Sequence, residues 1–252
     1  MIKLPTWLPV VMVLVTACTD TPTPSAPVAS ARLARELTEF VQTTYAYDAS
    51  GRLVSEQYLE LLRPTDPYGY NWGRRYTYDV PGQLRSTNMS FSGNPFAEWT
   101  NPLNSKGFAI NTENTYDADG YLIKDKNNTQ TVANGDVVKR VLKTSDFSQT
   151  VFTYLHDITR LNTLPDPTYF TKGTPDRHLL TGEIRETTHS QTDLLSYSKE
   201  VISYTYAVDS QGKITKRCAS TLRTQTTRDP AHPDQTYVDK PIGTLVTQYF
   251  YE

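Results

Sequence analysis

The sequence predicts an all-β fold: an antiparallel meander of repeated β-hairpins whose strongly twisted sheet curls into an open barrel. Three features predict it. A turn motif, Asp-x-x-Gly-x-Leu/Ile, recurs four times; tyrosines lead into it at alternate positions; and runs rich in Thr, Tyr, Val and Phe fill the intervals. Alternation with period two is the strand signature, and an internal repeat fixes the architecture before any activity is argued.

Residues 1–18 read as a secretion signal. Met1-Ile2-Lys3 is a short basic start, and the apolar run Leu4–Val15 is too short for a stable transmembrane helix. It ends in Val15-Thr16-Ala17-Cys18, which resembles the bacterial lipobox. By that resemblance Cys18 is lipidated and becomes the first residue of the mature protein, anchoring it to a membrane through its acyl chains. Residues 19–34 begin as a Pro/Thr/Ser-rich tether, a composition that buries too little to fold and extends as a semi-rigid spacer. Residues 35–252 form a single β-hairpin-repeat domain. Leu33, Leu37 and Phe40 have helical spacing, so helix and strand compete over Ser30–Phe40.

The motif reads Asp48-Ala-Ser-Gly51-Arg-Leu53, Asp79-Val-Pro-Gly82-Gln-Leu84, Asp117-Ala-Asp-Gly120-Tyr-Leu122 and Asp209-Ser-Gln-Gly212-Lys-Ile214. Asp suits the first position of a type I turn, where its carboxylate accepts local N–H bonds. Gly supplies the positive φ of the bulge that completes such a hairpin. Asp48 then faces Arg52 and Tyr47 faces Leu53, an aromatic–aliphatic cross-strand pair. In the last copy Val208 takes the tyrosine's place opposite Ile214, with Tyr204 and Tyr206 continuing the stripe. In the second, Pro81 is unsuited to a type I turn and predicts a Pro-Gly type II turn instead. Asn134-Gly135 predicts a type I′ hairpin.

Strands are expected at Leu37–Tyr47, Leu53–Leu62, Arg74–Tyr78, Leu84–Phe91, Asn111–Tyr116, Leu122–Asn127, Val137–Leu142, Thr150–His156, Leu179–Thr188, Leu195–Val208, Lys213–Thr227 and Leu245–Tyr251. Two loops, Leu164–Thr168 and Lys172–Asp176, break the meander, and a third runs from Arg228 to Asp234.

The string Tyr47-Asp-Ala-Ser-Gly-Arg-Leu53 resembles the YD repeat of Rhs-type proteins. With the lipobox, the mature chain resembles the YD-repeat-bearing outer-membrane lipoproteins of Gram-negative bacteria that carry a domain of unknown function. The resemblance implies antiparallel β architecture and an outer-membrane address, and it carries over no catalytic residue. Four copies are too few for the closed shell of large Rhs-type proteins.

A formal net charge of −2, without basic blocks, argues against nucleic acid. With Cys18 lipidated, Cys218 is the remaining thiol, so no internal disulfide forms. His156, His178, His189 and His232 lack ligand spacing and read as surface polar residues. Asp117-Ala-Asp119-Gly120 faintly echoes a calcium loop, but the turn already accounts for it. Glu183 and Glu186, three apart on a strand, point to opposite faces. No cofactor, metal or catalytic constellation is expected. An enzyme is a third reading, which gains if His156, His178 or His232 converges with carboxylates in a cleft. The tyrosines beside the turns read as core, whereas Tyr68, Tyr70 and Trp72, in a Pro/Gly-flanked cluster, are the candidate binding surface. The leading reading is a noncatalytic binding or structural module for a protein, glycan or lipid partner. The alternative is a carrier of a lipid or other hydrophobic ligand in the concave face of the sheet.

Replacing Cys18 with Ser is expected to release the protein from membranes. Membrane fractionation checks this; an unchanged membrane-bound fraction refutes the lipobox reading.

Overall fold

A computed structural model of the chain describes residues 32–61, 71–90, 92–111, 113–191, 194–228, 236–237 and 243–252. Cys18, Tyr68, Tyr70, His232 and most of the tether and of the Arg228–Asp234 loop lie outside the described residues. The strands are β1 (Leu33–Leu37), β2 (Val41–Tyr47), β3 (Leu53–Glu60), β4 (Trp72–Thr77), β5 (Gln83–Ser90), β6 (Pro95–Pro102), β7 (Thr115–Tyr116) and β8 (Leu122–Lys124). They continue with β9 (Asn128–Ala133), β10 (Asp136–Ser145), β11 (Ser148–Leu161), β12 (His178–Gln191), β13 (Leu194–Val208), β14 (Ile214–Arg228), β15 (Thr236–Tyr237) and β16 (Gly243–Tyr251). A single helical turn, α1 (Tyr169–Lys172), interrupts them.

All strands join one antiparallel sheet in the order β6-β5-β4-β3-β2-β1-β16-β14-β13-β12-β11-β10-β9-β8-β7, with β15 beside β14. The expected meander is therefore present, stitched at its middle where β16 pairs with β1. The sheet is rolled but not closed into a barrel: β6 and β7 are its two edges, joined in sequence by residues 103–114.

The rolling follows from one short segment. Phe170 packs edge-on against Tyr76 of β4, ring centroids 5.0 Å apart. Three residues later Gly173 bridges to Tyr121, directly before β8. In a flat sheet β4 and β8 would be separated by ~50 Å at about 4.8 Å per strand. Residues 170–173 reach at most ~10 Å. The strands must curl around residues 162–177, the irregular stretch between β11 and β12. Two apolar clusters form on the face turned toward it. Phe170 joins Leu53, Tyr76, Leu84 and Ala109, while Leu164 packs against Leu33, Leu179, Ile214 and Tyr249. The four Asp-x-x-Gly turns sit at this end of the sheet, because an antiparallel meander alternates ends.

The turns have the anticipated geometry. Asp48 Oδ1 accepts the N–H groups of Ser50 and Arg52, each at 2.9 Å, and the Gly51 N–H donates to the Asp48 carbonyl. Asp117 and Asp209 repeat this pattern with Asp119 and Tyr121, and with Gln211 and Lys213. Tyr47 faces Leu53, Tyr116 faces Leu122 and Val208 faces Ile214. At the second copy the Gln83 N–H donates to the Val80 carbonyl with Gly82 at φ 73, the type II turn expected of Pro81-Gly82, and Asp79 is left exposed beside Arg85. Asn134 and Gly135 have φ 56 and 84, as a type I′ turn requires.

The tyrosines do more than pack. Tyr47 Oη donates to the Leu33 carbonyl, Tyr78 to Leu53, Tyr206 to Leu180 and Tyr251 to Ile214. Each hydroxyl thus reaches the strand beyond its own hairpin and clasps neighbouring hairpins together. Cations stack on the same rings: Arg52 on Tyr78 at 4.5 Å, Arg32 on Tyr47 at 5.7 Å and Lys213 on Tyr251 at 5.8 Å. Burial pushes the Tyr47 and Tyr78 phenols up to about 12, so they remain donors at neutral pH.

Several expectations are corrected. Leu33 and Ala34, assigned to the tether, belong to β1, and Leu33 is fully buried. Residues 33–37 are strand rather than helix. The expected strand Leu37–Tyr47 is split because Thr38 Oγ1 caps a tight turn, accepting from the Phe40 and Val41 N–H groups. The strand expected at Asn111–Tyr116 shrinks to β7, since the Asn111 side chain holds the Glu113 and Asn114 N–H groups in a turn. Strand β6 had no sequence signal; Pro95 and Pro102 at its ends suit an edge.

Gly212 and Gly120 separate backbone strain from crowding. A Cβ at Gly212 meets nothing within 4 Å, whereas one at Gly120 lies 2.6 Å from Phe108 and 2.8 Å from Thr174. Gly212→Ala is expected to cost about 1–2 kcal/mol through positive φ alone. Gly120→Ala is expected to cost more, and denaturant titration of both variants checks the order.

Candidate functional site

Above the two apolar clusters, the face turned toward residues 162–177 becomes polar. Strand alternation assigns Glu56, Tyr58, Trp72, Arg74 and Asn88 to this inner face on one side, and Phe152, Tyr154, Glu183, Arg185, Glu200, Tyr204, Arg217 and Arg223 to it on the other. Glu56 is buried and accepts from Tyr76 Oη at 2.8 Å and Arg74 Nη1 at 3.2 Å, while Arg74 Nε donates to Asn88. Across the roll, Glu183 accepts from Arg185 and Tyr204, and Glu200 from Arg223, with Arg185 at 3.5 Å. Arg140 stacks on Phe152 at 4.0 Å and Arg217 on Tyr204 at 5.4 Å. Glu183 and Glu186 are indeed on opposite faces; Glu186 pairs with Tyr197 and Lys199.

Trp72 is placed at the start of β4 on this inner face. Its ring is half-buried, stacks on Tyr58 at 5.7 Å and carries Arg74 at 5.3 Å. A groove of about 380 Å³ opens beside it. Most of its lining side chains (Gln42, Thr44, Gln57, Arg75 and Met89 among them) alternate onto the outer face, where Gly73 leaves a hollow. The eight turn residues, Asp48, Gly51, Asp79, Gly82, Asp117, Gly120, Asp209 and Gly212, act in the backbone. Hydrogen bonds from Ser50 and from the Arg52 N–H hold the Asp48 carboxyl well below the usual carboxylate range. Cys218 lies half-buried in β14, opposite Thr205 and Val246.

His156 and His178 depart from the surface reading, whereas His189 is exposed as expected. His156, in β11, has a side chain only 3% exposed and sits 3.2 Å from Asp176 Oδ2. The His178 ring, at the start of β12, lies 2.6 Å from Asp136 Oδ2, and the His178 backbone N–H donates to Asp136 Oδ1 at 2.7 Å. Burial pushes the Asp136 carboxyl up, yet the two hydrogen bonds from His178 hold it below its ordinary value. Sequence spacing gave no sign of this group, because its members come from β10, β11, β12 and the irregular stretch.

No family model matches the chain, and no curated protein matches it. Among solved structures, the chain is similar to a porin-like protein from Bacteroides uniformis, with TM-score 0.51 and 17% identity over 87% of this chain and 98% of that one. At that identity the likeness shows the fold: an all-β, hairpin-built sheet.

Glu36 faces the same interior from β1, opposite Tyr249. Burial raises its carboxyl above 4.5, against the pull of Arg217 and Lys172. A carboxyl raised by folding stabilises the fold below its unfolded value and loses that contribution as pH rises through its folded value. Glu36→Gln is therefore expected to melt higher than wild type at pH 7 and no higher at pH 4. Melting curves at both values check the sign.

Proposed function

We propose that this chain is a noncatalytic module of the cell envelope, anchored to the outer membrane through Cys18, that holds a polar ligand, a glycan, against the inner wall of its rolled sheet. The observation that carries this reading is the wall itself. Arginine, glutamate and tyrosine line it in networks around Glu56 on one side and around Glu183 and Glu200 on the other. Such groups recognise hydroxyl-rich ligands by hydrogen bonding and ring stacking.

The outer face argues against a sheet immersed in lipid. Arg35, Arg75, Arg85, Glu98, Lys139, Glu186 and Lys199 alternate onto it, and charges on a lipid-facing band are costly. A lipid-anchored module beside the membrane accommodates them. The hydrophobic-carrier alternative calls for a continuous apolar cavity. The two apolar clusters are instead filled by Phe170 and Leu164, and the wall beyond them is polar.

The test offers purified protein two probes: oligosaccharides released from the envelope, and a fluorescent fatty acid. Oligosaccharide binding is expected, weakened at least tenfold in Arg223→Ala with little change in melting. Saturable fatty-acid binding without oligosaccharide binding would replace this reading with the carrier.

A further inference from the structure

We propose that Asp136, His156 and Asp176 form a divalent-cation site, suited to zinc, that fastens residues 162–177 inside the rolled sheet. One ligand atom from each of the three lies within 4.8 Å of the others. Small side-chain movements bring such a set onto a common ion, because bonds of about 2.0–2.2 Å from zinc to nitrogen and oxygen leave ligand atoms ~3.4 Å apart.

The carboxylates are already oriented for the task. Asp176 Oδ1 accepts the Val137 N–H at 2.7 Å, and Asp136 Oδ1 accepts the His178 N–H at 2.7 Å. In both, Oδ2 is the oxygen turned toward an imidazole. His178 then fills the supporting role common around bound metals, a ring N–H donated to a ligating carboxylate. Asp136 is 2% exposed, and the partly exposed Asp176 converges on it with His156. A divalent cation compensates the charge of two carboxylates brought this close together. Two oxygens and one imidazole nitrogen suit zinc, with water completing the shell.

The site's position gives it a role. Asp136 follows the Asn134-Gly135 turn, His156 lies in β11, and Asp176 belongs to the stretch that fills the roll. The Arg177 N–H already donates to the Gly135 carbonyl, and the Thr174 N–H to Gly120. An ion held by all three ligands cross-links the inner segment to β10 and β11, the two strands of one hairpin. The inference stands apart from the ligand reading above, which uses other residues.

The experiment titrates zinc into full-length protein, purified in detergent and stripped with a chelator, by calorimetry. One equivalent is expected to bind and to raise the melting temperature. His156→Gln and Asp176→Asn are expected to weaken binding at least a hundredfold, and His178→Gln by about ten- to a hundredfold. His189→Gln, at an exposed position, should bind as wild type. X-ray absorption of the zinc-loaded wild type needs no variant to fold, and is expected to show one imidazole among oxygen ligands. No uptake by the wild type, or zinc coordinated without imidazole, overturns the site and leaves two Asp–His hydrogen-bonded pairs.

Discussion

The architecture depends on one constraint: a rolled sheet of this many strands is too wide for its own side chains to fill. Something must occupy the turn end, and residues 162–177 do. Phe170 is only 4% exposed, and it completes the cluster of Leu53, Tyr76 and Leu84 in one arm of the sheet. Leu164 completes the cluster of Leu33, Leu179 and Ile214 in the other. Between them the backbone is tied to the β7–β8 and β9–β10 turns through Gly120 and Gly135. The Ala109 N–H donates to the Phe170 carbonyl, so the link from β6 to β7 is fastened to the same segment. The two edge strands are thus held near one another without being paired.

The repeat works at two levels. Within a hairpin, the aspartate carboxylate and the positive-φ glycine close the turn. Between hairpins, tyrosine hydroxyls reach backbone carbonyls of adjoining strands, and where a basic residue precedes the motif's Leu or Ile, as Arg52 and Lys213 do, it lies over a neighbour's ring. The same arrangement occurs at the start of the domain, where Arg32-Leu33 takes the place of Arg52-Leu53. Leu33 accepts the Tyr47 clasp as Leu53 accepts that of Tyr78. That equivalence is why residues that look like tether belong to the sheet.

What was legible in the sequence is what local chemistry decides. Asp48, Gly51, Asn134 and Gly135 dictate turn types within a few residues, so the hairpins and their cross-strand pairs could be read directly. Thr38 was missed because a hydroxyl-capped turn carries no Gly or Pro, and β6 because its prolines look like breakers until an edge is known. Asp136, His156 and Asp176 could not be found by spacing, since only the inward fold of residues 162–177 brings them together. Trp72 follows a Pro/Gly-rich stretch yet opens a strand, because it pairs with Tyr58 on one side and Ser90 on the other.

The repeat and the wall above it divide the labour of the sheet. Near the turns, the inner rows are nearly uniform: Leu53, Leu84, Leu122 and Ile214, with tyrosines beside them. A uniform row is what a repeated clasp requires, and it leaves no room for selectivity. Farther from the turns the rows cease to repeat. One arm carries Glu56, shared by Tyr76 and Arg74, and the other a chain from Tyr204 through Glu183, Arg185 and Glu200 to Arg223. Glu56, Glu183 and Glu200 each have an arginine partner, which offsets the cost of taking charge out of water. The partners differ between arms, so the wall is asymmetric although the base is not. A ligand held by this wall would be oriented by that asymmetry, on a floor whose geometry the repeats and the inner segment fix beforehand.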